Sequence, residues 1–115
     1  MDLNKEILKG HIDTLILAIL SNKDSYGYEI AKNVKNRTKF ELKDGTMYIS
    51  LKRLEKQGYI KSYYSDEKGN QGRRKYYNIT HKGRECFIIK AQEWYFVQNI
   101  MNEFLEGALK NGKNI

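Results

Sequence analysis

The 115-residue chain predicts a mostly helical α+β fold, and three features of its pattern carry that prediction. Apolar residues recur at helical spacing from Leu8 to about Gly58. The period then changes, as two stretches rich in β-formers, Tyr59–Ser65 and Arg73–Ile79, flank the turn-forming Asp66–Gly72. From Thr80 helical spacing returns and runs to about Leu109. The length fits one domain and leaves no room for a second core.

Each element follows from local chemistry. Apolar residues at 8, 12, 15, 16, 19 and 20, with Leu17 and Ala18 closing the gap, predict a first helix over Leu8–Leu20 that is buried on more than one side. Ser21–Ser25 breaks it. Asp24 or Ser25 then caps a second helix, with Glu29 in its early turns near the positive end of the dipole. Tyr26, Ile30, Ala31 and Val34 give that helix one apolar stripe, and it ends near Arg37–Thr38. Asp44 is the predicted N-cap of a third helix. There Met47, Leu51 and Leu54 face the core at i, i+4 and i+7, and Gly58 stands at the C′ position. Its other face carries Gly45, Thr46, Tyr48, Ile49, Lys52, Arg53 and Lys56.

Three short helices of this kind fit a helix-turn-helix. A lone hairpin is marginal in water, so the two strands must pack on the helices, and a hairpin in that place is a wing. Thr80 caps a last helix of nearly 30 residues. Phe87, Ala91, Trp94, Gln98, Met101 and Leu105 trace one of its stripes; Ile89, Phe96, Ile100 and Phe104 lie elsewhere on the wheel. A domain this small cannot cover both, so one face should meet a second copy of the chain. The expected organisation is a winged-helix unit over 1–79, a dimerisation helix over 80–109 in the same compact unit, and a frayed tail over 110–115.

Composition narrows the chemistry. Hydrophobic residues are 40% and charged residues 30%, as in a globular chain. The single cysteine, Cys86, excludes an internal disulfide and any cysteine-based zinc site. His11 and His81 belong to no metalloprotease pattern, and neither a nucleophile elbow, a Walker A loop nor a dinucleotide fingerprint is present. The expectation is a protein with no enzymatic activity, metal or cofactor. The longest apolar run, Leu15–Leu20, is far shorter than the roughly 20 residues of a bilayer span. The first residues do not resemble a signal peptide, so no membrane role and a cytoplasmic location are expected.

The net charge of +7 is unevenly placed. Residues 35–84 hold 14 Lys/Arg against 5 Asp/Glu, whereas the rest holds 7 against 9. Such an excess is either a solvated face or the footprint of a polyanion, and the choice depends on whether the charges share one surface. Here they fall on the third helix and the wing. A helix that enters the major groove offers small or polar residues near its start with cations beside them. Thr46 and Tyr48, followed by Lys52 and Arg53, meet that description. The wing adds Arg73, Arg74 and Lys75; strand alternation puts Arg73 and Lys75 on one face and Arg74 on the other. The predicted partner is double-stranded DNA, read by a dimer at a near-palindromic operator. The rival from another class is a winged-helix protein–protein adaptor that does not touch DNA. Tyr48, Tyr76 and Tyr77 also have a reading as packing residues.

The chain resembles the PadR family of winged-helix transcriptional regulators over nearly its whole length. The resemblance rests on Leu8-Lys-Gly10 with Asp13-Thr-Leu-Ile-Leu17, Tyr26-Gly-Tyr-Glu-Ile-Ala31, Gly45-Thr-Met-Tyr48, Leu51-Lys-Arg-Leu-Glu-Lys-Gln-Gly58, Gly72-Arg-Arg-Lys-Tyr-Tyr77 and Thr80-His-Lys-Gly-Arg84. Two positions depart from the family pattern. Its usual Pro-Gly-Thr is Asp44-Gly45-Thr46, and the proline that commonly follows the tyrosine is Ile49. Short length, one long C-terminal helix and Glu93-Trp94 are similar to the small, LmrR-like, multidrug-responsive branch. That resemblance implies a homodimeric repressor whose tryptophans, one per subunit, flank a planar aromatic effector in a pore at the dimer centre. It places Trp94 in the pore; Gln98, one turn below, and Asp13, on the first helix, are the further candidates to line it. From the residues alone, Trp94 reads first as a core or interface anchor, Asp13 equally as a cap or ion-pair partner, and Phe96 as interface packing.

Overall fold

A helix that is apolar on nearly every side is satisfied only at the centre of a fold. In the computed structural model, which describes residues 5–66 and 73–111, that centre is the helix Ile12–Asn22. The order is α1 (Lys5–Lys9), α2 (Ile12–Asn22), β1 (Ser25–Tyr26), α3 (Gly27–Thr38), α4 (Asp44–Lys56), β2 (Ile60–Tyr64), β3 (Lys75–Ile79) and α5 (His81–Asn111). Ile16, Leu17 and Leu20 of α2 lose essentially all exposure. They meet Ile30 and Val34 of α3, Met47, Leu51 and Leu54 of α4, Ile60 of β2, and Tyr77 and Ile79 of β3 in a single core. Phe87 and Cys86 at the start of α5 pack against its edge.

The structure is mostly helical α+β, as the sequence predicts, with local corrections. The first helix is divided. The His11 amide donates to the Leu8 carbonyl at 2.9 Å and closes a tight turn; the His11 carbonyl then accepts from Leu15 and starts α2. The wing strands belong to a three-stranded antiparallel sheet of order β1-β3-β2. Its extra strand, β1, sits where a helix cap was expected, with Ser25 opposite Tyr77 and Tyr26 opposite Tyr76. Pairing with the free edge of β3 satisfies this backbone, so α3 starts later. Tyr26 is its N-cap residue, and its amide donates to the Glu29 carboxylate at 3.3 Å. Likewise Lys43, not Asp44, is the N-cap residue of α4, and Asp44 is its first helical residue. The predicted turn lies largely outside the described residues, at 67–72. Helix α5 continues through Asn111, so residues 110–111 are helical rather than a tail, and 112–115 lie outside the described residues.

The junction of α4, β2 and α5 is tightly determined. Gly58 has φ +81°, the left-handed backbone that the predicted C′ position requires. The amides of Gly58 and Tyr59 donate to the carbonyls of Glu55 and Leu54, completing a Schellman motif. The Thr80 hydroxyl donates to the Gly58 carbonyl at 2.7 Å, and as the N-cap of α5 it accepts the Gly83 amide at 3.0 Å. The first turn of α5 therefore lies directly on Tyr59. A Cβ on Gly83 would overlap the Tyr59 carbonyl and approach Ile79 Cγ1 to 2.8 Å. Gly83→Ala should cost about 3 kcal/mol and lower Tm by about 10 °C, measured by thermal denaturation followed by circular dichroism.

On the outer face of the sheet, Tyr26, Tyr76 and Tyr63 form one cross-strand row. Tyr26 meets Tyr76 edge-on at 5.4 Å between ring centroids, and Tyr76 stacks on Tyr63 at 5.7 Å. Asp24 anchors this layer: its carboxylate accepts the Tyr63 hydroxyl at 2.6 Å and the Asn78 side-chain amide at 2.8 Å. The hydrogen bond to Asp24, helped by burial and the carboxylate charge, holds the Tyr63 phenol protonated and pushes its pKa up to about 12. The folded value lies above the unfolded one. The bond's contribution to stability is therefore fully present below the ordinary tyrosine pKa of about 10 and is lost as pH rises toward about 12. Asp24→Asn should return Tyr63 toward ordinary titration, read as an earlier phenolate absorbance change than in the wild type.

Candidate nucleic-acid interface and ligand groove

The helical period that buries Met47, Leu51 and Leu54 turns the rest of α4 to solvent. Tyr48 is half-exposed and Ile49, Lys52, Arg53 and Lys56 are exposed, while Thr46 is half-buried at the start of the helix. The small, polar and basic residues of α4 thus lie away from the core. Tyr48 lies across Gly27, the first residue of α3. A Cβ at Gly27 would stand 2.5 Å from the Tyr48 hydroxyl, so the absent side chain is what lets the phenol lie there.

The five predicted cations of this face and the wing have different surroundings. Lys52 projects to solvent. Arg53, predicted beside it, is held by Asp13 of α2: its Nη2 donates to one carboxylate oxygen at 2.7 Å and its Nε to the other at 3.3 Å. The strand expected from Arg73 begins only at Lys75, so Arg73 and Arg74 precede it; Arg73 and Lys75 are exposed and Arg74 is half-buried. The Arg74 guanidinium lies 4.6 Å from the centre of the Tyr26 ring, against the outer tyrosine layer, and Lys75 Nζ lies 5.7 Å from that of Tyr77. Tyr77 itself is buried, and that burial pushes its phenol pKa up. Exposed cations thus include Lys52 and Lys56 on α4 and Arg73 and Lys75 on the wing.

The C-terminal helix presents a different chemistry. Its 31 residues span about 46 Å, whereas α2, on which it packs, is only 11 residues long. Every residue from Gln92 to Lys110 is consequently exposed. Phe96 is 65% and Phe104 74% exposed, with Trp94, Met101 and Leu105 about half. The first stripe leaves the core after Ala91 and the second, beginning at the exposed Ile89, never joins it, so more apolar surface is open than one face.

Trp94 lines a groove of about 630 Å³ between α5 and the α1–α2 turn. His11 meets its ring edge-on at 5.3 Å. Leu8, Thr14, Leu15, Lys90, Glu93 and Val97 complete most of the wall. Of the three residues assigned to a pore, the structure thus brings only Trp94 to this groove. Asp13 is turned to Arg53, and Gln98 lies on the exposed part of α5. The sequence reading missed Glu93, which supplies the groove with a carboxylate, and His11. Helical geometry held a signal for part of this wall, since Lys90 and Val97 stand at i−4 and i+3 from Trp94. His11 carried none, because its contact is tertiary. Among the described residues, no group of His, Cys, Asp or Glu could hold a metal ion, and no helix is long and apolar enough to cross a membrane.

Comparison with known proteins agrees with this architecture. Residues 16–87 match the transcriptional regulator PadR-like family. A PadR family transcription regulator from hypervirulent Clostridium difficile is 57% identical, with 83% of this chain and 98% of that one aligned at a TM-score of 0.76. A transcriptional regulator from Clostridium thermocellum is 41% identical, covering 90% and 98% of the two chains at a TM-score of 0.78. An uncharacterized protein of Lysinibacillus sphaericus is 41% identical over 104 residues, 89% of this chain and 94% of that protein. With the winged helix-turn-helix and its long C-terminal helix in place, the chain belongs to the PadR-like family of transcriptional regulators.

Proposed function

We propose that this protein is a homodimeric repressor that binds a near-palindromic DNA operator and whose binding is altered by a planar aromatic ligand at the dimer interface. The observation that carries the DNA-binding part is the exposed basic face of α4 beside the exposed Arg73 and Lys75 of the wing. Thr46 and Tyr48 stand at the start of that helix, where a major-groove reader places its base contacts. Dimerisation is supported by the apolar length of α5 left open from Gln92 onward. Obligate interfaces commonly bury about 2,000 Å² or more, and a helix of this length supplies surface on that scale. Two copies of the winged-helix unit then present two recognition helices, with operator half-sites about one helical turn apart or a small multiple of it.

The Trp94 groove supports the ligand part. It is open, mostly apolar, flanked by aromatic rings and carries one carboxylate and one ammonium, from Glu93 and Lys90. Placing Trp94 on an exposed helix face lets the indole of a second copy approach it. A flat ligand between two indoles gains about 0.5–1.5 kcal/mol per ring pair beyond the buried area.

Two measurements test this reading. Operator affinity should fall with salt at a log–log slope of about −0.9 per phosphate neutralised; Lys52→Ala should shallow that slope by about one and keep sequence preference. An affinity indifferent to salt would favour the protein–protein adaptor. Planar cationic dyes should quench the fluorescence of the only tryptophan, at one ligand per dimer in equilibrium sedimentation. Trp94→Ala should weaken dye binding about tenfold and leave the dimer intact. If the substitution instead dissociates the dimer and no dye quenches the wild type, Trp94 is an interface anchor and the ligand reading fails.

A further inference from the structure

Arg53 is the one cation of the recognition face that another helix holds by a two-point ion pair among the described residues. Its guanidinium meets Asp13 through Nη2 and Nε, at 2.7 and 3.3 Å, and Nη2 also lies 3.3 Å from the Oγ of Ser50, which is buried. The Asp13 side chain is only 23% exposed, against 49% for Arg53. A planar fork on a carboxylate fixes orientation as well as distance, which a single-point contact does not. The pair joins the first turn of α2, the most deeply buried helix, to the last turn of α4.

We propose that Arg53 serves DNA binding as a positioning residue, locking the recognition helix to α2 through Asp13, and makes no contact with the DNA backbone. This rests on the DNA-binding reading given above and assigns a role within that site. The charge argument decides between positioning and contact. An arginine that neutralises a phosphate must turn from Asp13, leaving a half-buried carboxylate unpaired near a polyanion. Lys52, the preceding residue, is exposed and needs no such exchange. Asp13 also lies between His11 and Thr14, both of which line the Trp94 groove. The same turn of α2 thus faces the groove on one side and holds the recognition helix on the other.

The two roles predict opposite signs for Asp13. Under positioning, Asp13→Asn and Arg53→Ala each weaken specific operator binding by about fivefold. The double variant is no weaker than either, and non-specific DNA binding and the salt slope stay at wild-type values. Arg53→Lys keeps the charge but loses the fork, so it should behave like Arg53→Ala. Under phosphate contact, Asp13→Asn binds as tightly as the wild type or more tightly, Arg53→Lys is close to wild type, and Arg53→Ala shallows the slope by about 0.9. Any of these three results overturns the proposal. Amide hydrogen exchange without DNA supplies an independent reading: Asp13→Asn should raise exchange across α4, and unchanged exchange also counts against the pair. A wild type that binds no duplex defeats the DNA-binding reading and this proposal with it. A wild type that binds, with Asp13→Asn undiminished, defeats this proposal alone.

Discussion

The constraint on which the rest depends is the burial of α2 on almost all sides. Ile16, Leu17 and Leu20 have essentially no solvent exposure, and every other layer must supply surface to cover them. Helices α3 and α4, strand β3 and the first third of α5 do so. Burying a large aliphatic side chain fully stabilises by roughly 1.5–3 kcal/mol, which makes this one helix a large share of the driving force in a domain of marginal size. Once α2 is central, each neighbouring helix has one face committed inward. The outward faces of α4 and α5 are then the surfaces available to partners.

Those two outward faces differ sharply in chemistry. Helix α4 turns out polar and basic side chains, which cost little to expose and attract a polyanion over the distance of a Debye length. Helix α5 turns out Phe96, Ile100, Phe104 and Leu109, which are costly to leave in water. The first surface suits a reversible, salt-sensitive partner; the second suits a permanent apolar one. The wing belongs to the first group only in part. Arg74 is drawn back over Tyr26 into the outer tyrosine layer, where it steadies the hairpin, while Arg73 and Lys75 remain exposed.

Between these surfaces lies a short stretch of α2 that touches both. His11 and Thr14 stand in the Trp94 groove, and Asp13 reaches Arg53 on α4. Packed interiors transmit small displacements because they lack slack to absorb them. The N-terminal turn of this centrally buried helix thus packs at the groove and is ion-paired to α4 within about one helical turn.

Local features of the fold were legible in the sequence because they depend on near neighbours. The inward row Met47, Leu51 and Leu54, the left-handed Gly58 and the Thr80 cap all follow from helical period and from capping chemistry. The polar face of α4 and the excess apolar surface of α5 were legible for the same reason. Tertiary structure alone decided the rest. Strand β1 forms because the edge of β3 is present to pair with it; two residues have no strand pattern of their own. Asp24 reads as a helix cap until Asn78, 54 residues away, and Tyr63 come to its carboxylate. Arg53 reads as a free cation until Asp13, 40 residues earlier, meets its guanidinium. A sequence displays the sign of a charge and the period of its helix, but the opposite charge that occupies it is chosen by how the helices pack.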